Sequence, residues 1–121
     1  SLTYGILQPQ SEIHKVRKFL NTQGYRIVQE DMVQEDGKYY PMMKVQLEHG
    51  EGEDYREVEY LYGKRLLEKK HPVLYEYLQR EYRIKSEIQR DLQKQKNERI
   101  EMRLKELEEE LELIREAMQK F

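Results

Sequence analysis

Residues 25–47 read Tyr-Arg-Ile-Val-Gln-Glu-Asp-Met-Val-Gln-Glu-Asp-Gly-Lys-Tyr-Tyr-Pro-Met-Met-Lys-Val-Gln-Leu. Asp36-Gly37 sits between two runs rich in Val, Ile, Tyr and Met. The dipeptide suits a two-residue type I′ turn, where both central residues need φ > 0. The stretch therefore predicts a β-hairpin. A turn at this place sets Val33 opposite Tyr40 and Val28 opposite Val45. Pro41 is awkward, because a central strand would lose a ladder hydrogen bond there. A bulge at Pro41, or pairing that begins only after it, is expected.

On the N-terminal side, Thr3 to Leu7 is a short apolar run with the length of a buried strand. Gln8-Pro9 stops it, since proline lacks a donor and pushes its predecessor into an extended conformation. Ser11 can cap a helix from Glu12 onward. Ile13, Val16 and Leu20 then share one apolar face, with Phe19 alongside. Gly24 suits the left-handed position that ends a helix. Strand, helix and strand with short links form a right-handed crossover, so the first two strands should be parallel. The hairpin then adds an antiparallel strand.

On the C-terminal side, residues 48–57 are acidic and contain glycine, and read as an exposed linker. Residues 60–70 contain a glycine break and then a short basic, apolar turn. Pro72 is placed as the first residue of a helix. From Val73 to Phe121 there is no Gly or Pro. Ile100, Leu104, Leu107, Leu111, Ile114, Met118 and Phe121 alternate in steps of four and three, a heptad seam. Leu74, Leu78, Ile88 and Leu92 mark an earlier stripe, joined by Tyr82. The two registers do not meet, and the slip falls near Gln93–Asn97. A turn there would let two helices fold back on each other. One uninterrupted helix of about 75 Å would expose both seams unless it dimerised.

Charged residues make up 38% of the 121-residue chain, against 37% hydrophobic. The charged share is well above the roughly 25% of an average domain. Long solvated helices, or a surface that meets another molecule, are therefore expected. There is no cysteine, so disulfides, thiolate metal sites and cysteine nucleophiles are excluded. No apolar run has the length of a membrane span, and the composition fits a cytoplasmic protein. The first residue is not methionine and a strand follows almost at once, the pattern expected of a fragment.

The net charge of −2 hides a strong segregation. Residues 64–99 carry eleven Lys/Arg against six Asp/Glu, while the segments on either side are acidic. The cations are Lys64, Arg65, Lys69, Lys70, Arg80, Arg83, Lys85, Arg90, Lys94, Lys96 and Arg99, with Tyr75, Tyr77 and Tyr82 interleaved. Cations at helical spacing can track phosphates, and tyrosines can stack on unpaired bases. A solvated helix face paired with the acidic second helix explains the same pattern. Both readings can hold on different faces. His14, His49 and His71 lack ligand spacing, so no metal site is expected. Glu30, Asp31, Glu35 and Asp36 flank a turn and read as solubilising. No nucleophile–base arrangement is present.

Three segments in order carry a family likeness: Ile6-Leu-Gln-Pro9; Gly24-Tyr-Arg-Ile-Val with Glu30-Asp and Glu35-Asp-Gly-Lys-Tyr39; and Leu61-Tyr-Gly, Leu66-Leu67 and His71-Pro72. From about residue 4 to about residue 82 the chain resembles the C-terminal part of the bacterial tRNA (adenine-N1)-methyltransferases that modify adenine 22. The resemblance implies a class I methyltransferase using S-adenosylmethionine. It also implies that this chain holds strand 5, helix E, strand 6 and strand 7 of that fold. The family's glycine-rich cofactor loop and catalytic motif precede these pieces, so no cofactor is expected in this chain. Gln8 and Pro9 follow the carboxyl end of the first strand, where open α/β sheets bind ligands. By analogy they would line the target-adenine pocket; a strand-ending proline beside a solvent-facing glutamine is the plainer reading.

The expected fold is an α/β remnant, the last strands and helix of a Rossmann-like methyltransferase sheet in the order β-α-β-β. An antiparallel α-helical coiled-coil hairpin should follow. Residues 1–48 would end the methyltransferase domain, 49–72 would link, and 73–121 would form the arm. Lys64, Arg65, Lys69, Lys70, Arg80, Arg83, Lys85, Arg90 and Lys94 are the candidate tRNA contacts. The alternative is a stand-alone coiled-coil interaction module. The first strand should expose an edge, which favours a homodimer or exchange of elements between chains.

Overall fold

In the computed structural model, which describes residues 2–121, the hairpin forms around the turn its sequence specifies. Strands β2 (Arg26–Glu35) and β3 (Lys38–Gln46) are joined by Asp36 and Gly37, with φ of 51° and 75°. Val33 stands opposite Tyr40 as expected. The far end differs. Ile27 rather than Val28 faces Val45, because a bulge falls between Ile27 and Gln29. The extra residue changes which side chain points inward, and Ile27 is buried.

Pro41 is a second correction. It pairs with Met32 in the register set by the turn, with no bulge beside it. Starting from the closing pair Glu35–Lys38, bonded and non-bonded pairs alternate, and Met32–Pro41 falls on a non-bonded one. The proline nitrogen therefore points away from β2. Strand β1 (Tyr4–Leu7) reaches β3 only between Met43 and Gln46, so no ladder bond is lost. The strand order is β1-β3-β2, with both pairings antiparallel. β1 and β2 thus run the same way, as the crossover requires, but β3 lies between them.

Helix α1 (Ile13–Thr22) starts without the Ser11 cap. Glu12 takes the capping position at φ 49°, and its carboxylate pairs with Lys15 at 2.9 Å. Ser11 is left one residue outside. The other end forms as read. Gly24 has φ 81°, its N–H donates to the Asn21 carbonyl at 3.1 Å, and Tyr25 donates to Leu20 at 2.9 Å. These two bonds close a Schellman motif. Leu20 packs with Ile27, Met43 and Val45, flanked by Ile13 and Val16. Phe19 turns outward.

Residues 48–56 lie at the surface, as a linker would, yet they are pinned. Gly50 donates to the Gly24 carbonyl at 2.8 Å. Asn21 exchanges two hydrogen bonds with the Glu53 backbone, at 2.8 and 2.7 Å. Helices α2 (Glu57–Tyr62) and α3 (Lys64–Glu68) follow, separated by Gly63 at φ 99°.

Helices α4 (Pro72–Leu92) and α5 (Glu98–Met118) break where the heptad registers slip. Asn97 caps α5, accepting from the Ile100 N–H at 2.9 Å. Gln89 meets Glu108, Lys85 meets Glu110, Arg115 covers the Tyr82 ring, and Tyr75 touches Phe121. One number falls as the other rises, so the helices run in opposite directions. Leu107, Leu111 and Ile114 of the seam are buried, and so is Ala117, which the seam reading missed. A second core joins Met32 of β2 to Val58, Leu66, Leu67, Leu74, Leu78, Ile114 and Ala117.

Arg17 and Glu30 are 2% and 1% exposed, so reading Glu30 as a solubilising turn residue was wrong. Arg17 Nε donates to Glu30 Oε2 at 2.9 Å. Its Nη1 donates to the carbonyls of Tyr60 and Leu61 at 2.8 and 3.1 Å, near the end of α2. Glu30 Oε1 accepts the Arg65 N–H at 3.1 Å, in the first turn of α3. The pair thus serves helix ends that lack intrahelical partners. Glu30→Gln would leave a buried guanidinium without its counter-charge, and is expected to cost about 3–5 kcal/mol. The double change Arg17→Met with Glu30→Leu should recover only part of that loss, because it removes the stranded charge but leaves the Tyr60 and Leu61 carbonyls and the Arg65 N–H without their partners. Urea denaturation followed by circular dichroism measures both, and a cost below about 0.5 kcal/mol for Glu30→Gln, the range of ordinary surface changes, would refute the assignment.

Candidate nucleic-acid interface

The cations of residues 64–99 divide into two groups. Lys64 reaches the Asp54 carbonyl and lies over the Tyr55 ring at 5.0 Å from its centroid. Arg65 donates to the Ile27 carbonyl at 3.0 Å and pairs with Glu53 and Glu68. Lys69 donates to the Glu30 carbonyl. These three hold the segment 64–69 onto β2 and the acidic loop. Lys85 faces Glu110 on α5 at 3.6 Å.

Lys70, Arg80, Arg83, Arg90 and Lys94 are exposed. Lys94 sits 3.7 Å from Asp91. Arg80, Arg83 and Arg90 form no ion pair among the described residues. Spaced three and then seven residues apart on α4, they fall within about a quarter-turn of one another. Glu76 and Glu87 share that face, so the stripe is mixed in charge rather than uniformly basic. Of the interleaved tyrosines, Tyr75 and Tyr82 pack toward α5, through Phe121 and Arg115. Tyr77 faces the hairpin.

Gln8 and Pro9 lie just beyond β1, beside the hairpin tip. A cleft of about 400 Å³ opens there, lined by Pro9, Gln10, Lys38, Tyr39, Tyr77 and Arg80, among others. Gln8 lines a neighbouring cleft of about 190 Å³ with Pro9, Tyr40 and Met42. The fold therefore brings Pro9 and Arg80 together, although sequence reading had placed them in separate groups. Tyr39 was missed; the only signal was a Tyr-Tyr-Pro run directly after the turn. The Tyr39 and Tyr77 rings meet edge-on at 5.1 Å, and the Arg80 guanidinium lies 5.6 Å from the Tyr39 centroid. Burial, then Glu81, pushes the Tyr77 hydroxyl up to about 12. Burial and Glu76 raise Tyr39 as well. Both phenols remain neutral donors through the physiological range.

A family model described as tRNA (adenine(22)-N(1))-methyltransferase matches residues 1–116. The chain belongs to this family. Among curated proteins, none matches it significantly. Solved structures share its fold. The B. subtilis M1A22 tRNA methyltransferase is 24% identical with a TM-score of 0.80, over 95% of this chain and 51% of that one. An S. agalactiae protein of the NADB-Rossmann superfamily is 26% identical, with a TM-score of 0.77 over 95% and 47%. An S. pneumoniae protein solved with S-adenosyl-L-methionine is 21% identical, with a TM-score of 0.75 over 95% and 47%. The chain spans about half the length of these structures. The neighbours are thus Rossmann-like, and within this chain the sheet is a three-stranded antiparallel one. Among the described residues, no helix is long and apolar enough to cross a membrane, and no three His, Asp or Glu side chains converge as a metal site requires.

The start of α4, which aims this surface, is fixed by His71. Its Nδ1 accepts from the Val73 N–H at 3.1 Å, so Nε2 carries the proton toward Asp31 Oδ1, 2.6 Å away. The Met32 N–H and then His71 hold the Asp31 carboxyl below its usual range. A depressed carboxylate adds stability above its unfolded pKa of about 3.9, and that contribution is lost as the pH falls through the folded value. The urea midpoint of the unchanged chain should exceed that of Asp31→Asn near neutral pH, and the gap should close below about pH 4. A gap independent of pH would show that Asp31 is not clamped as its carboxylate.

Proposed function

We propose that this chain is the C-terminal part of a cytoplasmic, S-adenosylmethionine-dependent tRNA adenine-N1 methyltransferase. In this reading α4 and α5 form an antiparallel coiled-coil arm that helps to hold tRNA. Family membership over residues 1–116 carries the proposal. The exposed arginines of α4 support the arm's role, because guanidinium groups without an ion-pair partner among the described residues are available to phosphates. Lys70 and Lys94 extend that surface, whereas Lys64, Arg65, Lys69 and Lys85 contribute mainly by positioning it. The chain's strand-to-helix turn, Gln8-Pro9-Gln10-Ser11, has no glycine and does not fit the methyl donor. Residues elsewhere in the parent enzyme would hold that cofactor, and the 121-residue chain alone should not turn over.

Fluorescence anisotropy with a labelled tRNA at about 50 and about 200 mM salt tests the arm. Three phosphate contacts would weaken binding roughly 20–40-fold between these conditions. Arg83→Glu with Arg90→Glu should abolish most of the binding. No binding at the lower salt, or binding indifferent to these changes, would overturn the RNA-holding role.

β1 supports a second element of the proposal. Among the described residues it pairs only with β3, and Ile6 is 64% and Tyr4 42% exposed. Such an edge recruits another strand. We expect the isolated chain to form a homodimer or to exchange elements between copies. A monodisperse monomer in light scattering at high micromolar concentration would count against it.

A further inference from the structure

The cleft at the hairpin tip narrows inward. Its mouth carries Gln10, Lys38 and Arg80. An inner cavity of about 90 Å³ adjoins it and shares four of its lining residues, Ile13, Tyr39, Pro41 and Tyr77. The polar, cationic mouth therefore leads into a throat that is aromatic and apolar except for Arg17, whose guanidinium is tied to Glu30. We propose that this cleft receives one unpaired nucleotide of an RNA strand, with its base between Tyr39, Pro41 and Tyr77 and its phosphate on Arg80 and Lys38.

The chemistry favours a nucleotide over an apolar side chain. Tyrosine rings are sequence-tolerant stacking surfaces for bases, and a guanidinium is a bidentate partner for a phosphate. Beside the throat lies a polar pair that an apolar guest could not use. The Tyr39 hydroxyl donates to Glu76 at 3.4 Å, a long bond that can open toward a new acceptor. Glu76 can in turn accept from a base amino group. The same carboxylate, with Glu81 close to Tyr77, would repel a second phosphate, so the site suits a nucleotide in a strand rather than a polyphosphate. The mouth volume lies within the range of small-ligand pockets, about 300–1,000 Å³. Arg80 is also the first member of the exposed α4 arginine stripe, so a strand leaving the cleft would continue along Arg83 and Arg90. This inference rests on the RNA-holding role proposed above and gives it a point of grip within this chain.

The test is a titration of the 121-residue chain with adenosine 5′-monophosphate, and separately with a single-stranded oligoadenylate, followed by two-dimensional NMR. Signals of Gln10, Tyr39 and Tyr77 should shift in both titrations. Arg80→Ala, an exposed change that leaves the core intact, should weaken both about tenfold. Arg83→Glu with Arg90→Glu should leave the mononucleotide response unchanged while weakening tRNA. Unmoved cleft signals, or shifts reproduced by inorganic phosphate alone, would overturn the proposal even if tRNA still bound the arm. Mononucleotide shifts that survive Arg80→Ala together with Lys38→Ala would overturn it too. Cleft binding in a chain whose tRNA affinity ignores Arg83 and Arg90 would support the cleft and sink the arm.

Discussion

Arg17 and Glu30 carry opposite charges into a space from which water is excluded, and neither can remain there without the other. Their attraction alone would not secure the fold, because desolvation offsets much of it. The bonds around the pair supply the rest. Arg17 takes up two carbonyls near the end of α2, and Glu30 takes up an N–H at the start of α3. One ion pair thereby joins α1, β2 and both short helices at the Gly63 corner. There is no room for a side chain at that corner: a Cβ on Gly63 would lie 2.9 Å from Glu30 and 3.0 Å from Arg17.

From that junction the chain runs back along β2. Arg65 binds the Ile27 carbonyl, Lys69 the Glu30 carbonyl, and His71 the Asp31 carboxylate. Three residues six positions apart at most thus clasp one strand, and α4 departs from the last of them. This clasp brings Tyr77 and Arg80 over the hairpin tip. Cations that read in sequence as a continuous nucleic-acid patch therefore divide into those that hold the segment down and those that face outward.

Features with local causes were legible in the sequence. Asp36-Gly37 demanded its turn, Gly24 ended its helix, Pro72 opened one, and the slip in heptad register located the break at residues 93–97. Features set by distant partners were not. Glu30 alternates with Met32 along β2, yet nothing beside it in sequence announces Arg17. Nothing beside Val28 in sequence announces the bulge that sets Ile27 against Leu20 of α1, and the harmless position of Pro41 depends on where β1 stops as well as on the hairpin register. The cleft at the hairpin tip needs Pro9, Tyr39 and Arg80 at once, and these come from a loop, a strand and a helix far apart in sequence. The family likeness was readable because it rests on ordered short segments, whereas the use made of each cation was not.

The Gly63 corner also bears on how the chain assembles and how long it stays folded. Its partners come from residues 17, 30, 60, 61 and 65, so they can meet only after the hairpin and the neighbouring helices have closed the intervening loops. Hairpins and helices form on microsecond timescales, and contacts between them follow. An interaction completed after the folding barrier contributes little to the rate of climbing it and much to the rate of leaving the native basin. A pair closed at that stage would act as a latch, governing the native lifetime more than the speed of folding.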